Sequence, residues 1–320
     1  MSTPRMRVVA SVPGGIGNFG PGLDVLGCAL TGARDEVMAE WSQTAGVTII
    51  DAGHPQLPRD PAKNTASIAA AAVMRTAAER GVPLTQPGIA ITIKKGLPLS
   101  GGQGGSAASA VAGAVAANAL IWPTDSGLAV NDLLACALAG EEAVAGRHLD
   151  NIAPSLLGGI VLVRSLDPIE VIKIQVPAGL RIVLATPAQQ LTTTRARSVL
   201  PTEVLRSIVV HQLAQVAAVI AACNSEDLAL LGRAMDDRIA EPARTPLLPG
   251  FADAKKSALD AGALGVSISG AGPTAFALCD SDAVATKIGS AMQSAYAHAG
   301  LDCTVRTCEV DSQGAIVRDA

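Results

Sequence analysis

The sequence contains very few aromatic residues: phenylalanine, tryptophan and tyrosine together make up 2% of its 320 residues. It also lacks a basic segment, and its formal net charge is −4 at pH 7. A protein that binds nucleic acid needs a basic surface and, for single strands, aromatic side chains on which the bases stack. The composition therefore argues against a nucleic-acid partner.

Paired cysteines are also missing. The cysteines form no CxxC pair, and no histidine stands near them at the spacing of a metal site. We expect each thiol to be a small buried apolar group in a reducing cytosol. The residues concerned are Cys28, Cys136, Cys223, Cys279, Cys303 and Cys308.

No stretch has the pattern of a membrane anchor. The N-terminal residues MSTPRMRVVASV lack the apolar run of a signal peptide. The most apolar stretch covers residues 106–122, but it is mostly alanine and includes Ser109 and Asn118. Alanine is too weakly apolar for a convincing membrane span. We therefore expect a cytoplasmic protein that does not cross a membrane.

What the sequence does contain is small and aliphatic residues. Hydrophobic residues make up 49% of the chain, which also has 32 glycines and 19 prolines. The core must therefore be built from alanine, valine, leucine and isoleucine, with many turns between its elements. The length allows two ordinary domains, which we place at residues 1–160 and 161–320.

Apolar periodicity and turn residues predict a mixture of strands and helices without strict alternation, which is typical of an α+β fold. Residues 37–41 and 47–50 are interpreted as a hairpin around Gly46, and Asn64 as a helix N-cap. Strands are predicted over residues 6–12, 37–41, 47–50, 89–94, 160–164, 171–176, 181–185, 266–269, 274–278 and 301–308. Helices are predicted over residues 64–80, from 106 onward, and over 131–145, 201–223, 227–238, 251–261 and 282–298.

Residues 98–108, PLSGGQGGSAA, carry the sharpest local signal. They follow a predicted strand and open a helix, whose free N–H groups and positive dipole end can bind phosphate. The glycines let the backbone approach a ligand closely, and the Ser106 hydroxyl can ligate Mg²⁺. Spacing alone equally allows a helix-capping serine after a glycine-rich turn. The pattern is neither a Walker A loop nor GxGxxG.

Several other polar groups stand where a ligand site can form. Residues 13–24 are a second glycine-rich loop, which contains Asn18 and Asp24 and can also be read as a simple turn. Glu141 and Glu142 lie late in a predicted helix. Either one could complete a Mg²⁺ site with Ser106, or both could lie on a solvated face.

Three further groups stand in the second part of the chain. His148, Asp150 and Asn151 precede an apolar strand and are interpreted as the edge of an active site. Arg197 and Arg244 are of the type that binds a carboxylate with two hydrogen bonds, although a lone arginine is more often in a surface ion pair. Residues 267–274 form a small-residue turn, which either is a plain β-turn or packs under the glycine-rich loop.

In this order, these segments resemble the GHMP kinases, whose phosphate loop reads P-x-x-x-G-L-G-S-S-A-A. Here Gln103 replaces the usual leucine and Gly105 the first serine, while the second serine is kept as Ser106. Within that superfamily the motifs are most similar to those of the homoserine kinase family. The matching segments are residues 18–30, 148–159, 196–201, 241–251 and 268–274.

The resemblance implies a GHMP kinase fold, with an N-terminal ribosomal-protein-S5-like domain, a C-terminal ferredoxin-like domain and the active site between them. It implies phosphoryl transfer from ATP, with Mg²⁺, to the side-chain hydroxyl of L-homoserine in threonine biosynthesis. It also implies a homodimer. Two alternatives remain open: another small-molecule kinase of this superfamily, such as a mevalonate-type enzyme, and a non-catalytic binding protein with the same fold.

The resemblance also assigns roles to residues. Asp24 would take the ammonium group of the substrate, and the two arginines its carboxylate. Whether Glu141 or Glu142 holds Mg²⁺ stays open, as does the use of a base, for which Asp150 is the nearby candidate. Substrate would be bound by Asn18, Asp24, His148, Asn151, Thr193, Arg197 and Arg244, of which Asn151 and Arg197 act in catalysis with Ser106. Nucleotide would be bound by Asn64, Lys94, Pro98, Gly101, Gly102, Gly104, Gly105, Ser106 and Ala107.

Overall fold

The structure is a computed structural model that describes residues 5–122 and 127–319. The first four residues of the N-terminal stretch that was inspected for a signal peptide lie outside this part. The strands are β1 Arg7–Gly17, β2 Leu26–Ser42, β3 Gly46–Asp51, β4 Gly88–Lys94, β5 Ile160–Leu166, β6 Ile169–Ile174, β7 Arg181–Pro187, β8 Gly265–Ile268, β9 Ala275–Cys279, β10 Cys303–Cys308 and β11 Ile316–Asp319. The helices are α1 Thr65–Glu79, α2 Gly105–Ile121, α3 Val130–Glu142, α4 Ile152–Leu157, α5 Thr193–Arg197, α6 Arg206–Ser225, α7 Leu228–Arg233, α8 Ala240–Arg244, α9 Phe251–Asp260 and α10 Asp282–His298.

The first sheet has seven strands in the order β11-β1-β2-β4-β3, with β5 and β6 attached through β2. The strands of the predicted hairpin exist, but β4 lies between them and pairs in parallel with β3, so the hairpin itself was wrong. Ile89, Ile91 and Ile93 are buried along β4, whereas β3 is largely exposed. The more apolar strand therefore takes the inner position and the exposed one the edge.

Sequence reasoning missed three features of the sheet and the helices packed on it. Strand β1 continues through Gly17, so the first part of the predicted 13–24 loop is strand, paired with Gly27 to Ala29 of β2. Helix α4 contains Pro154, which its first turn tolerates. Strand β11 pairs with β1, although all four of its residues are exposed and give no alternating pattern.

The second sheet has four antiparallel strands in the order β10-β7-β9-β8. Helices α9 and α10 pack on one face through Phe251 and Met292. The other face joins a cluster in which Leu184 of β7 and Leu26 of β2 are both buried, so one apolar core connects the two sheets. All six cysteines are buried and free, as predicted.

The sheets also bear on the domain boundary. The expected boundary at residue 160 falls at the start of β5, and both β5 and β6 belong to the first sheet. The final strand, β11, returns to that sheet as well. We therefore propose a boundary between Ile174 and Arg181, with the C-terminal segment rejoining the first domain.

Alanine and glycine decide how the helices of the first domain pack. Helix α2 lies fully inside the core, which explains why the apolar 106–122 stretch is a core helix. A Cβ atom at Gly113 would lie 2.1 Å from the Ala66 carbonyl oxygen, so α1 and α2 touch through their backbones. Helix α1 begins as predicted, because the Asn64 side chain accepts the N–H of Ala66 at 3.1 Å.

Within the described residues, one helix has the length and apolar composition of a membrane span. It is α6, whose most apolar window has a mean hydropathy of 1.5 and is 22% buried. Its exposed apolar side chains include Val210 and Leu213, at 60% and 65%. One such helix also occurs in proteins that do not cross membranes, and in this chain Val219, Ala222 and Cys223 of α6 are buried in the apolar cluster that connects the two sheets.

A buried ion pair holds the start of the glycine-rich loop against α2. Asp35 is completely buried and pairs with the ammonium group of Lys95, which is 7% exposed. The Asp35 carboxylate also accepts the N–H groups of Gly96 and Leu97, at 3.0 and 3.1 Å, and the Ser109 hydroxyl at 2.8 Å. Lys95 donates in turn to the Gly105 carbonyl at 3.0 Å. Both ends of the loop are thus fixed to one charged cluster.

We expect Asp35→Ala to lower the free energy of unfolding by about 3–5 kcal/mol, because it leaves the Lys95 charge buried without a partner. Urea denaturation measures the change. The control is Glu36→Ala, since the ion-pair partners of Glu36 among the described residues are the exposed side chains of Lys94 and Arg318. The control should lose about 1 kcal/mol or less. Equal losses in the two variants would show that the buried pair contributes no more than a surface one.

Candidate active site

A single cleft between the two sheets collects most of the predicted site residues. It is bounded on one side by the glycine-rich loop and the start of α2, and on the other by residues of α5, α8 and the 270–272 turn. Of the predicted residues, those that line it are Asn18, Asn64, Pro98, Gly101, Gly102, Gly104, Gly105, Ser106, Glu141, His148, Asn151, Thr193, Arg197 and Arg244. Asp150 lines it too, whereas Asp24, Lys94, Ala107 and Glu142 do not.

Hydrogen bonds hold the loop carbonyls away from the cleft. The Thr274 hydroxyl donates to the Gly101 carbonyl at 2.5 Å and the Ser269 hydroxyl to the Gly102 carbonyl at 2.7 Å. The Gln103 carbonyl accepts the N–H of Gly15 at 3.2 Å. The 267–274 turn thus packs under the glycine-rich loop, as one of the two interpretations of the sequence predicted.

The fixed carbonyls also determine where the loop amides point. Because a trans peptide directs its N–H opposite to its C=O, the next three N–H groups point away from these hydrogen-bond partners, and two of the three residues line the cleft. Those N–H groups belong to Gly102, Gln103 and Gly104. Helix α2 then adds the free N–H groups and the positive dipole of its first turn. Together they form a cradle suited to phosphate oxygens.

Lys94 was predicted near the nucleotide, but the structure does not bring it to the cleft. Its side chain is 81% exposed and lies 3.7 Å from Glu36 on the outer surface. Successive side chains on a strand point to opposite faces, and Ile93 is the one that β4 turns toward the cleft. Two lysines line the cleft, Lys63 and Lys95, and sequence reasoning missed both, although Lys95 stands next to the residue that was chosen.

The two candidate glutamates differ in position. Glu141 is 7% exposed, and one of its carboxylate oxygens accepts the Ser106 hydroxyl at 2.9 Å. Its other oxygen is buried without a hydrogen-bond partner among the described residues. Glu142, one residue further on the helix, is exposed. The geometry therefore favours Glu141 over Glu142 as the partner of Ser106.

Ala107 can contribute to a ligand site only through its backbone. Its side chain is completely buried in the apolar core of the first domain. Its N–H belongs to the first turn of α2, where N–H groups have no partner within the helix. The predicted nucleotide contact of Ala107 can therefore be made only by its backbone N–H group.

Two buried carboxyl groups near the cleft have raised pKa values. Burial raises the pKa of Glu141 to about 7, against the lowering effect of the Ser106 hydrogen bond. Burial, together with the nearby Asp24 carboxylate, raises the pKa of Asp150 to about 6. Asp150 accepts the N–H of Asn18 at 2.8 Å. Its carboxylate therefore holds the 18–24 loop in place.

Asp24 does not line the cleft itself, but its partly exposed carboxylate lies against two side chains that do. Arg197 donates to both of its carboxylate oxygens, at 2.5 and 3.3 Å, and His148 Nδ1 lies 3.5 Å from one of them. Burial lowers the pKa of His148, while Asp24 opposes that shift. Asn18 and Asp24 both have left-handed backbone conformations, with φ of 65° and 62°, and the Asn18 side chain accepts the Asp24 N–H at 3.1 Å.

Arg244 is a buried cation without an ion-pair partner in the described part of the chain. It is 2% exposed and donates to the carbonyls of Gly270 at 2.9 Å and Ala196 at 3.3 Å. Burial lowers its pKa, and the positive charge of Arg197 adds to that effect. A buried charge of this kind is costly unless an anion compensates it. The site therefore suits a ligand that carries a negative group.

Comparison with known proteins agrees with this geometry. The family model described as GHMP kinases N terminal domain matches residues 64–159, and that described as GHMP kinases C terminal matches residues 219–298. The chain is 41% identical over 310 residues to homoserine kinase of Chlorobaculum tepidum, covering 94% of each chain. It is 39% identical over 319 residues to homoserine kinase of Arabidopsis thaliana, covering 97% of this chain and 84% of the plant protein.

Solved structures give the same result. The crystal structure of homoserine kinase from Cytophaga hutchinsonii matches with a TM-score of 0.91 and 40% identity over 99% of both chains. The chain belongs to the homoserine kinase family of GHMP kinases. A mevalonate kinase of L. major, in complex with R-mevalonate, shares the fold at 18% identity and a TM-score of 0.65, covering 97% of each chain. The predicted fold class is confirmed.

Some cleft residues of this family member were not singled out from the sequence. Gln56, Leu57 and Pro58, between β3 and α1, close the cleft on the side of Asn64. They carry no motif or charge that would have marked them. Their place follows from the position of β3 at the sheet edge, which depends on the non-local pairing with β4.

We expect Gly102→Ala to weaken ATP binding about tenfold or more, because the loop cannot keep its conformation with a side chain there. An added Cβ would lie 2.5 Å from the Ser269 carbonyl oxygen, and φ is +73°. The control is Gly105→Ala, whose Cβ would have its nearest neighbour at 3.4 Å. Calorimetric titration with ATP and Mg²⁺ checks both variants. Equal affinities for the two would contradict the tight fit at Gly102.

Proposed function

We propose that the protein transfers the γ-phosphoryl group of ATP to the side-chain hydroxyl of L-homoserine, in threonine biosynthesis. The hydroxyl oxygen forms a bond to the γ-phosphorus while the bond to the β–γ bridging oxygen breaks. ADP leaves, and the hydroxyl proton is released. The observation that carries this proposal is one cleft with a glycine-rich loop at one end and, at the other, Arg244, which has no ion-pair partner among the described residues. The names of the relatives at about 40% identity support the choice of homoserine.

The glycine-rich loop binds the phosphates of ATP through its backbone. Amides that already point into the cleft need no rearrangement when negative charge moves between donor and acceptor in the transition state. Lys95 lines the same end of the cleft, but its charge is paired with Asp35 and its three donors are used within the fold, so it acts by fixing the loop. Phosphoryl transfer relies mostly on such positioning and charge neutralisation.

The residues present fit a Mg²⁺ ion next to the loop. Glu141 has one buried carboxylate oxygen without a partner, and the Ser106 hydroxyl lies beside its other oxygen. Hard cations such as Mg²⁺ prefer oxygen ligands of this type and retain several waters. Glu141 and Ser106 would hold the ion, which would supply neutralisation of the phosphate charge. Glu142 is exposed and does not line the cleft, so we do not assign it to the ion.

The charged groups at the other end hold the amino acid. Arg244 and Arg197 bind the α-carboxylate, and Asp24 accepts the ammonium group with the oxygen lone pairs that Arg197 leaves free. His148, Asn18 and Thr193 complete the wall of this part of the cleft or hold Asp24 in place. These contacts direct the side-chain hydroxyl of the substrate toward the phosphate loop.

Asn151 stands where the two halves of the cleft meet. Its side-chain oxygen is buried without a hydrogen-bond partner among the described residues. A Cβ at Gly104 would lie 2.8 Å from that oxygen, so Asn151 is in contact with the phosphate loop. We assign Asn151 to orient the substrate hydroxyl, for which the free oxygen is a suitable acceptor.

We also propose that the protein acts as a homodimer in the cytoplasm, as the family resemblance implies. The exposed apolar side chains of α6, which include Val210 and Leu213, are compatible with a covered surface. Sedimentation equilibrium of the purified chain tests the oligomeric state.

A coupled assay of ADP release with a substrate panel tests the proposed reaction. We expect turnover with L-homoserine and little or none with mevalonate or a sugar, because neither offers an ammonium group to Asp24. Turnover of mevalonate without turnover of homoserine would reject the substrate. ATP binding without turnover of any alcohol would favour a binding protein of the same fold.

We expect Arg244→Leu to raise the KM for homoserine about 10- to 100-fold, because a charge-assisted contact to the carboxylate is lost. The KM for ATP should change little. The matched control is Arg238→Leu, since Arg238 is exposed and pairs with Asp236 outside the cleft. Steady-state kinetics with each substrate varied in turn gives both constants. An unchanged KM for homoserine would show that Arg244 does not hold the carboxylate.

A further inference from the structure

Gln103 is the residue at which the phosphate loop departs most from the family pattern, which has leucine there. Its side chain is buried, at 6% exposure, and does not face the cleft. The side-chain amide nitrogen donates to the Thr186 hydroxyl at 2.9 Å and, over a longer distance, to the Thr274 hydroxyl at 3.4 Å, while the side-chain oxygen accepts from Arg306 at 3.2 Å. Thr186 is on β7 and Arg306 on β10, so the loop of the first domain inserts a polar side chain into the second sheet.

The hydroxyl protons near Gln103 can be assigned one by one. The Thr274 hydroxyl donates to the Gly101 carbonyl, so it must accept from Thr186, whose oxygen lies 2.8 Å away. The Thr186 hydroxyl has then used its proton, and its oxygen accepts from Gln103. The hydrogen bonds therefore run in one direction, from the Gln103 side chain through two threonines to the Gly101 carbonyl of the same loop.

This hydrogen-bond chain connects the loop to itself through the second sheet. The Gly101 carbonyl is the group whose orientation turns the Gly102 N–H into the cleft. Each hydroxyl in the chain has its donor role fixed by its neighbour, so the bonds support one another. Arg306 extends the connection, since it also donates to the Thr31 carbonyl of β2 at 3.3 Å.

We propose that Gln103 is a positioning residue for ATP binding, which holds the loop amides in their phosphate-binding orientation through Thr186 and Thr274. The proposal rests on the proposed ATP site and adds to it a specific contact between the loop and the second sheet. Leucine at this position would leave the Thr186 oxygen without its donor and would remove one acceptor from Arg306. In this chain leucine, which is usual in the family, is therefore less favourable at position 103 than glutamine.

Titration of the full chain with a non-hydrolysable ATP analogue and Mg²⁺ tests the role of Gln103. We expect Gln103→Leu and Thr186→Val each to weaken binding about tenfold, with the double variant little weaker than either single one. Thr186→Ser keeps the hydroxyl and should restore binding. The KM for homoserine should stay within about twofold of the unmodified chain, which a general loss of stability would not predict.

The matched control is Thr304→Val, because Thr304 lies directly opposite Thr186 on β10 and is exposed. It should bind the analogue as the unmodified chain does. Binding by Gln103→Leu within about twofold of the unmodified chain, or a double variant whose loss equals the product of the two single losses, would overturn the proposal. If Gln103→Leu does not fold, the Thr186→Val and Thr186→Ser pair decides. Failure of the unmodified chain to bind the analogue would instead reject the ATP site itself.

Discussion

The hydrogen bonds from Ser269 and Thr274 to the phosphate loop are the constraint on which the site depends. Two hydroxyls of the second domain accurately orient two successive peptide groups of the first. Gly102 fits against the same turn only because it has no side chain, since a Cβ there would lie 2.7 Å from the Gly272 carbonyl oxygen. The phosphate loop is therefore completed by the other domain, and its amides take their orientation from the domain contact.

The same turn also holds the residues at the amino-acid end of the cleft. The Gly270 carbonyl accepts from the Asn18 side chain at 3.0 Å and from Arg244 at 2.9 Å, and the Gly270 N–H donates to the Gly17 carbonyl. One short segment thus contacts the glycine-rich loop on one side and the proposed substrate-binding residues on the other. A shift of the turn would therefore displace both the glycine-rich loop and the residues at the other end of the cleft.

The sequence was sufficient where the signal was local. The Asn64 cap, the helix after the glycine-rich loop and the strands on either side of the 269–274 turn all follow from nearby residues. Glu141 could also have been chosen over Glu142, because Leu134, Leu138 and Glu141 recur at helical spacing on the buried face of α3. The order of β3 and β4 could not have been predicted in this way, because strand pairing depends on contacts between residues far apart in the chain.

The two arginines of the cleft are not equivalent before substrate binds. Arg197 is already neutralised by Asp24, whereas Arg244 has no anion beside it within the described residues. On the proposed assignment, a carboxylate gains most from Arg244, where it compensates a buried charge. An amine without a carboxylate gains little, because it meets an aspartate that Arg197 already holds. The carboxylate therefore supplies the affinity, and the ammonium group, which must share Asp24 with Arg197, supplies the discrimination between an amino acid and other hydroxy acids.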